Sequence, residues 1–144
     1  MTRPLSEIGL SVKRLQMRHH RAANAGLAPL GLSLTQWDAL RHLHRNPGAS
    51  LNDLARLTFQ TGQSFGALAA RMIDRGLIER VPGPGRAVRH RLTERGEELR
   101  VAGQQVLDGV LTASFGPLTA EELATFDALL VRLLSAEPSP AGGN

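Results

Sequence analysis

The feature that most constrains this fold is a helical segment that leads directly into a short hairpin. Between Thr61 and Arg75 the apolar residues recur with the period of a helix, and Gly76 suits the left-handed position that commonly ends one. Two runs with strand character follow at 77–81 and 87–92, on either side of a tip that reads PGPGR. This pattern predicts a helix followed at once by a stiff two-stranded β-hairpin.

Capping signals and helical periods place the other elements. Residues 35–38 (TQWD) predict the start of one helix, 50–53 (SLND) a short one, and 119–122 (TAEE) the last. Longer helical patterns cover 5–25 and 93–115. A short helix, a turn, a second helix and a hairpin make a winged helix-turn-helix. We therefore expect a mostly α fold with a small β-hairpin wing and flanking helices for dimerisation.

The second helix of this motif has one apolar face and one small or polar face. If Phe65, Leu68 and Met72 face the core, the opposite side presents residues suited to a DNA groove. Glutamine pairs bidentately with adenine and alanine meets a thymine methyl. Thr61 is the expected N-cap of this helix, and a helix N-terminus favours a phosphate. The alternative is that these small residues pack against a partner protein. The candidate DNA-binding residues of this segment are Thr61, Gln63, Ser64, Ala67 and Arg71.

The hairpin predicts a phosphate contact. In its second strand Val88, His90 and Leu92 share one face, which we expect to point towards the core. The other face carries arginines, and another arginine lies at the tip. Basic residues on a stiff finger beside a reading helix favour contact with the DNA backbone. A solvated strand edge protected by charge is the alternative. The candidate DNA-binding residues of the hairpin are Arg86, Arg89 and Arg91.

Charge and composition agree with a nucleic-acid partner and exclude several other classes. Residues 71–95 hold seven arginines against three acidic residues, whereas 96–144 hold two arginines against seven acidic residues. A solvated arginine-rich surface is an equally simple explanation of the charge alone. The chain has no cysteine, so it can form neither a disulfide nor a thiolate metal site. No apolar run approaches the roughly 20 residues of a membrane helix, and we expect a cytoplasmic protein.

No pattern of catalytic or metal-binding residues is apparent. The sequence RHHR at 18–21 places adjacent histidines about 100° apart on a helix, so the pair does not converge on one ion. His19 lies on the apolar stripe and is expected in a core or interface, with sensing of a ligand or of pH as the alternative. Trp37 is expected in the core, with a ligand-pocket wall as the alternative. We expect neither an enzyme nor a cofactor nor a metal.

Three stretches resemble the MarR family of bacterial transcription regulators. They read LSLTQWDALRHLHRNPGASLNDLARL, QSFGALAARMIDRGLIER and RLTERGEEL. The similarity runs from Leu32 to Leu134, and residues 5–25 stand in the place of the family's first helix. The tip VPGPGRAV departs from the family pattern, in which an acidic residue commonly precedes a pair of arginines. Only Arg86 remains there, so we expect fewer DNA contacts from the tip than is usual in the family.

The resemblance implies a homodimer with two DNA-binding lobes and a small ligand bound between each lobe and the dimer interface. The apolar stripes of the first and last helices, which a lone lobe would leave uncovered, also favour dimerisation. We expect a sequence-specific repressor of a pseudo-palindromic double-stranded operator, released by a small-molecule effector. The alternatives are a ligand-independent architectural protein and a protein-interaction module. The expected regions are a dimerisation helix at 1–30, the DNA-binding region at 31–95, dimerisation helices at 96–136 and a disordered tail at 137–144.

Overall fold

A computed structural model describes residues 2–82, 85 and 88–136 of the 144-residue chain. A single 3-10 turn at Ala28–Leu30 follows the first helix. The elements are α1 (Leu5–Leu27), α2 (Leu34–Arg45), α3 (Leu51–Leu57), α4 (Gly62–Asp74), β1 (Ile78–Val81), β2 (Arg89–Leu92), α5 (Glu94–Phe115) and α6 (Ala120–Ser135). The expected mostly α fold with one small hairpin is confirmed. The hairpin formed by β1 and β2 is called the wing below. No helix in the described part of the chain is both long and apolar enough to cross a membrane.

The chain divides into two compact units, one through Val110 and the other from Leu111 onward. In the first unit, α1 to α4, the wing and most of α5 share one apolar core. The largest fully buried side chains in this unit are Leu27, Leu40, Leu54, Phe65, Met72, Leu77, Ile78 and His90. In the second unit the rings of Phe115 and Phe126 pack with their centroids 6.0 Å apart. The expected tail at 137–144 lies outside the described residues.

The starts of the helices follow local capping chemistry, with one correction. Ser50, Thr61 and Thr119 cap α3, α4 and α6 as the sequence predicts. The prediction that Thr35 opens α2 is wrong, because Ser33 is the N-cap. Its hydroxyl accepts from the Gln36 backbone N–H at 3.1 Å, and the Gln36 side chain accepts from the Ser33 N–H at 3.1 Å. This earlier box satisfies two of the otherwise unpaired N–H groups of the first turn.

Helices α3 and α4 end in the same hydrogen-bonded motif. At the end of α4 the Leu77 N–H donates to the Met72 carbonyl, and Gly76 takes a left-handed φ of 72°. At the end of α3 the Gln60 N–H donates to the Ala55 carbonyl at 2.8 Å, and the equivalent left-handed residue is Phe59. The glycine that ends α4 was expected from the sequence, whereas a left-handed phenylalanine at the end of α3 was not.

Candidate DNA-binding surface

Helix α4 is anchored by one face and leaves the other in solvent. Phe65, Leu68, Ala69 and Met72 are buried in the core. The Thr61 hydroxyl accepts from the Ser64 N–H at 3.1 Å and so fixes the first turn. The predicted reading residues Thr61, Gln63, Ser64, Ala67 and Arg71 are all exposed. The structure therefore brings these five candidates to one accessible surface on a rigid helix.

The wing is held to the rest of the first unit by its second strand. Strands β1 and β2 pair antiparallel, with Arg80 opposite His90 and Val81 opposite Arg89. The Leu51 N–H at the start of α3 donates to the Val88 carbonyl at 3.0 Å. The Arg89 guanidinium also donates to the carbonyl of Gly48. These bonds join the wing to the first residue of α3 and to the loop before it. The sequence pattern did not predict them.

The three arginines predicted in the wing have different surroundings. Arg91 is exposed, and its Nε lies 2.6 Å from Oε1 of Glu79 on the neighbouring strand. Arg89 was expected to point to solvent or a ligand, but it is half-buried and bound to Gly48. The cause is a backbone bridge between Ser50 and Arg89, which brings the strand against the loop before α3. Arg86 lies outside the described residues.

His90 belongs to the second strand of the wing and points into the core. Its ring is buried, and Nδ1 is unpaired among the described residues. Burial lowers the pKa of His90 below its ordinary value, and the nearby charge of Arg80 lowers it further. The ring borders a cavity of about 120 Å³ whose wall is otherwise mostly apolar. The predicted inward direction of His90 is confirmed, whereas Val88, expected beside it, is 37% exposed.

Hydrogen bonds and close packing fix the two ends of the wing, next to α4 and α5, against the start of α5. The Thr93 hydroxyl donates to the Gly76 carbonyl at 2.6 Å and accepts from the Gly96 N–H at 3.0 Å. A Cβ added to Gly96 would lie 1.9 Å from the Leu77 carbonyl oxygen, so only glycine fits there. The end of α4, the wing and α5 therefore form one closely packed joint. The sequence contains the glycine but does not reveal what lies against it.

The two residues proposed as ligand contacts lie on α1 and α2. Trp37 is buried, and its indole N–H donates to the Arg100 carbonyl at 3.0 Å. Arg100 in turn binds Glu97, with Nε 2.8 Å from Oε2, and this bond holds the pKa of Glu97 below its usual value. His19 is half-buried on α1. Trp37 therefore occupies the core position expected from the sequence, next to an ion pair that the sequence did not predict.

A family model described as the MarR family matches residues 30–87. The HTH-type transcriptional repressor Rv2887 of Mycobacterium tuberculosis is 31% identical over 112 residues, which cover 76% of this chain and 81% of the repressor. The structure of Rv2887 in complex with DNA has a TM-score of 0.79 and 29% identity, and the match covers 93% of this chain and 100% of that one. The apo form of MarR from E. coli matches this chain with a TM-score of 0.79 and 23% sequence identity. The match covers 93% of this chain and 99% of that one.

Fold and site together define a winged helix-turn-helix protein, with a capped helix that presents a polar face and a hairpin directly after it. That architecture is the one expected of a DNA-binding transcriptional regulator. The chain belongs to the MarR family. The resemblance stated from the sequence motifs is thereby confirmed.

Proposed function

We propose that this chain is a homodimeric, sequence-specific repressor whose affinity for its operator is changed by a small acidic ligand. The observation that supports this function best is the face of α4, which holds Gln63, Ser64 and Ala67 exposed on a helix fixed by its buried side. Rv2887 is a transcriptional repressor that shares this fold, and one of its crystal structures is a complex with DNA. We assign base contacts to these three residues.

Phosphate contacts are assigned to the cationic residues around that face. Arg71 is exposed on α4 and makes no ion pair within the described ranges. Arg91 is exposed on the wing, and its pair with Glu79 is a surface one, worth about 0–1 kcal/mol. A DNA phosphate can therefore replace Glu79 at little cost. Thr61 places the N-terminal end of α4 where a phosphate would be favoured, and Arg86 remains a candidate at the tip.

A second copy of the chain is the proposed partner of two apolar surfaces. On α1, Leu5 and Val12 are more than half exposed. On α6, Leu133 and Leu134 are exposed by 73% and 84%. Apolar stripes of this kind are covered in a stable protein, and an obligate dimer interface of about 2,000 Å² or more would cover them. Two-fold symmetry then predicts a pseudo-palindromic operator with half-sites about one helical turn apart.

The proposed effector is an aromatic carboxylic acid. Two structures of Rv2887 are complexes with salicylic acid and with p-aminosalicylic acid. In this chain one face of α1 carries Arg14, Arg18 and Arg21 around a shallow surface depression that Met17 and Ala22 complete. None of these arginines makes an ion pair with another described residue, so each can bind a carboxylate. His19 lies on the same helix, and Trp37 is kept as a second candidate contact.

The function is tested by fluorescence anisotropy with the purified chain across a salt series. One duplex comes from directly upstream of the coding sequence and the control has the same composition in scrambled order. We expect tighter binding to the first duplex, a steep salt dependence, and weaker binding when salicylate is added. Equal binding to both duplexes indicates an architectural protein, and no binding at low salt indicates a protein-interaction module. Unchanged binding with salicylate contradicts the proposed effector.

Two further parts of the proposal follow from the family. A regulator that acts by binding DNA needs no chemical step, and we assign no catalytic activity to this chain. Its binding partner would be chromosomal DNA, so we place its action in the cytoplasm. Sedimentation equilibrium with and without the duplex tests the stated dimer, and a monomer on DNA would contradict it.

A further inference from the structure

Phe59 is an aromatic side chain with no place in the core. It lies in the turn between α3 and α4, and 97% of its surface is exposed. It is the most exposed large apolar side chain in the described part of the chain. Its contacts within the protein therefore do not explain why a ring is present at this position.

The backbone conformation does not favour phenylalanine either. Phe59 has a φ of 56°, and it is the only residue other than glycine with a positive φ within residues 2–82, 85 and 88–136. A Cβ makes this left-handed conformation unfavourable, which is why glycine is usual at the position. Gly76 occupies the equivalent position after α4. At position 59 glycine would suit both the backbone and the solvent better than phenylalanine does.

The turn that presents the ring is fixed by hydrogen bonds. The Gln60 N–H donates to the Ala55 carbonyl at 2.8 Å, and the Thr58 hydroxyl donates to the Leu54 carbonyl at 2.7 Å. Phe59 precedes the N-cap Thr61 by two residues and Gln63 by four. Four Cα–Cα steps limit the Cα distance between Phe59 and Gln63 to about 15 Å. The ring is therefore presented near the end of α4 that begins the proposed reading face.

We propose that Phe59 is a direct contact to duplex DNA, its ring packed on a deoxyribose or a thymine methyl beside the bases that α4 reads. The inference rests on the proposed function and adds to it an apolar contact from the helix-turn-helix turn. Phenylalanine meets thymine methyls in a DNA groove because both surfaces are apolar. Such a contact adds affinity without neutralising a phosphate.

The surroundings of the ring favour DNA over a partner protein. A stable protein interface buries about 800 Å² on each side, and Leu57, 39% exposed, is the only other exposed large apolar side chain among residues 51–74, which is too little for such an interface. Thr61, Gly62 and Gln63 are small or polar and exposed. They also form the N-terminal end of α4, whose free N–H groups favour an anion.

The test uses three variants of the full-length chain and the duplex that the wild-type protein selects from a random-sequence pool. Phe59→Gly removes the ring and relieves the backbone, Phe59→Ala removes the ring and keeps a Cβ, and Phe59→Trp keeps an aromatic ring. We expect Phe59→Gly and Phe59→Ala to bind about tenfold more weakly with an unchanged salt slope. Phe59→Trp should restore binding close to that of the wild type. Phe59→Gly should melt at a higher temperature than Phe59→Ala, and neither should melt below the wild type by more than a few degrees.

The outcomes separate this inference from the proposed function. If the wild type selects no duplex, the proposed function fails and the inference fails with it. If the wild type binds and Phe59→Gly binds equally well, only the inference is wrong, and a protein partner becomes the better explanation of the ring. A loss of affinity accompanied by a large loss of melting temperature in Phe59→Ala would show a structural role and would also overturn the inference.

Discussion

Helix α4 and the wing differ in whether their candidate DNA-binding side chains already have partners within the protein. On α4, Gln63 and Arg71 are exposed on a helix whose opposite face is buried. On the wing, Arg91 is paired with Glu79, and Arg89 is bound to the Gly48 carbonyl. The helix can meet DNA without any internal bond being broken. The wing must give up an existing partner of Arg89 or Arg91 before either of these two arginines can bind DNA.

This difference indicates that the two regions contribute to DNA binding in different ways. The exposed pair of Arg91 is easily exchanged, because water already competes for both groups. A charged hydrogen bond from half-buried Arg89 is worth more, about 1.5–3 kcal/mol, and fixes the position of the wing. We infer that α4 sets the sequence preference, that Arg91 adds affinity, and that Arg89 mainly positions the wing.

The largest expected effect is at the joint between the two regions. Gly96→Ala would place a Cβ 1.9 Å from the Leu77 carbonyl oxygen, which is backbone and cannot move aside. We expect a loss of about 3 kcal/mol or more in the free energy of unfolding, measured by urea denaturation. Gly109→Ala on the same helix meets nothing within 4 Å and is the control. Similar stability in both variants would contradict the close packing.

The second effect concerns base reading by α4. Gln63→Ala should change the preference at one base position by about 1–3 kcal/mol and leave the other positions unchanged. Selection from a randomised operator with the wild type and the variant measures this. Gln105→Ala is the same substitution at an exposed position of α5 and should change no base preference. Uniform weakening at all positions by Gln63→Ala would argue against base reading.

The third effect separates the two arginines of β2. Arg89→Ala should lower the free energy of unfolding by about 1.5–2 kcal/mol, the lower part of the range for a charged hydrogen bond, because Arg89 is only half-buried and its loss leaves the Gly48 carbonyl without this donor. Arg91→Ala should leave stability within about 0.5 kcal/mol and flatten the salt dependence of DNA binding by about 0.9 in log–log slope. Denaturation and anisotropy are compared for both variants. The same stability loss in each would mean that Arg89 has no special structural role.

The smallest effect is a pH dependence of stability that originates at His90 of the wing. Burial lowers the pKa of His90 in the folded chain below the 6.5 of the unfolded chain, so the unfolded state takes up the proton first. Stability should therefore be complete above about pH 6.5 and fall as the pH decreases below it. His90→Leu removes the unpaired nitrogen and should reduce this dependence. The test is to measure the melting temperatures of the wild type and His90→Leu at pH 5, 6, 7 and 8. The same change of melting temperature with pH in both proteins would contradict the assignment of this dependence to His90.

Much of the fold was predictable from the sequence because its signals are local. Ser50, Thr61 and Thr119 cap helices by bonds to the next few residues, and Gly76 ends α4 by its own backbone freedom. The exposed face of α4 followed from helical period. The start of α2 was misplaced by two residues because Ser33 and Thr35 both suit an N-cap, and only the observed bonds to Gln36 distinguish them.

The sequence by itself determined the order of elements, the winged helix-turn-helix and the side of α4 that faces solvent, since each depends on residues close together in the chain. The tertiary structure alone decided the partner of Arg89, the space against Gly96 and the unpaired nitrogen of His90. Each of these depends on atoms many residues away, such as Gly48 for Arg89 and Leu77 for Gly96. Which distant backbone groups meet is set by how the elements pack, and no local pattern records it.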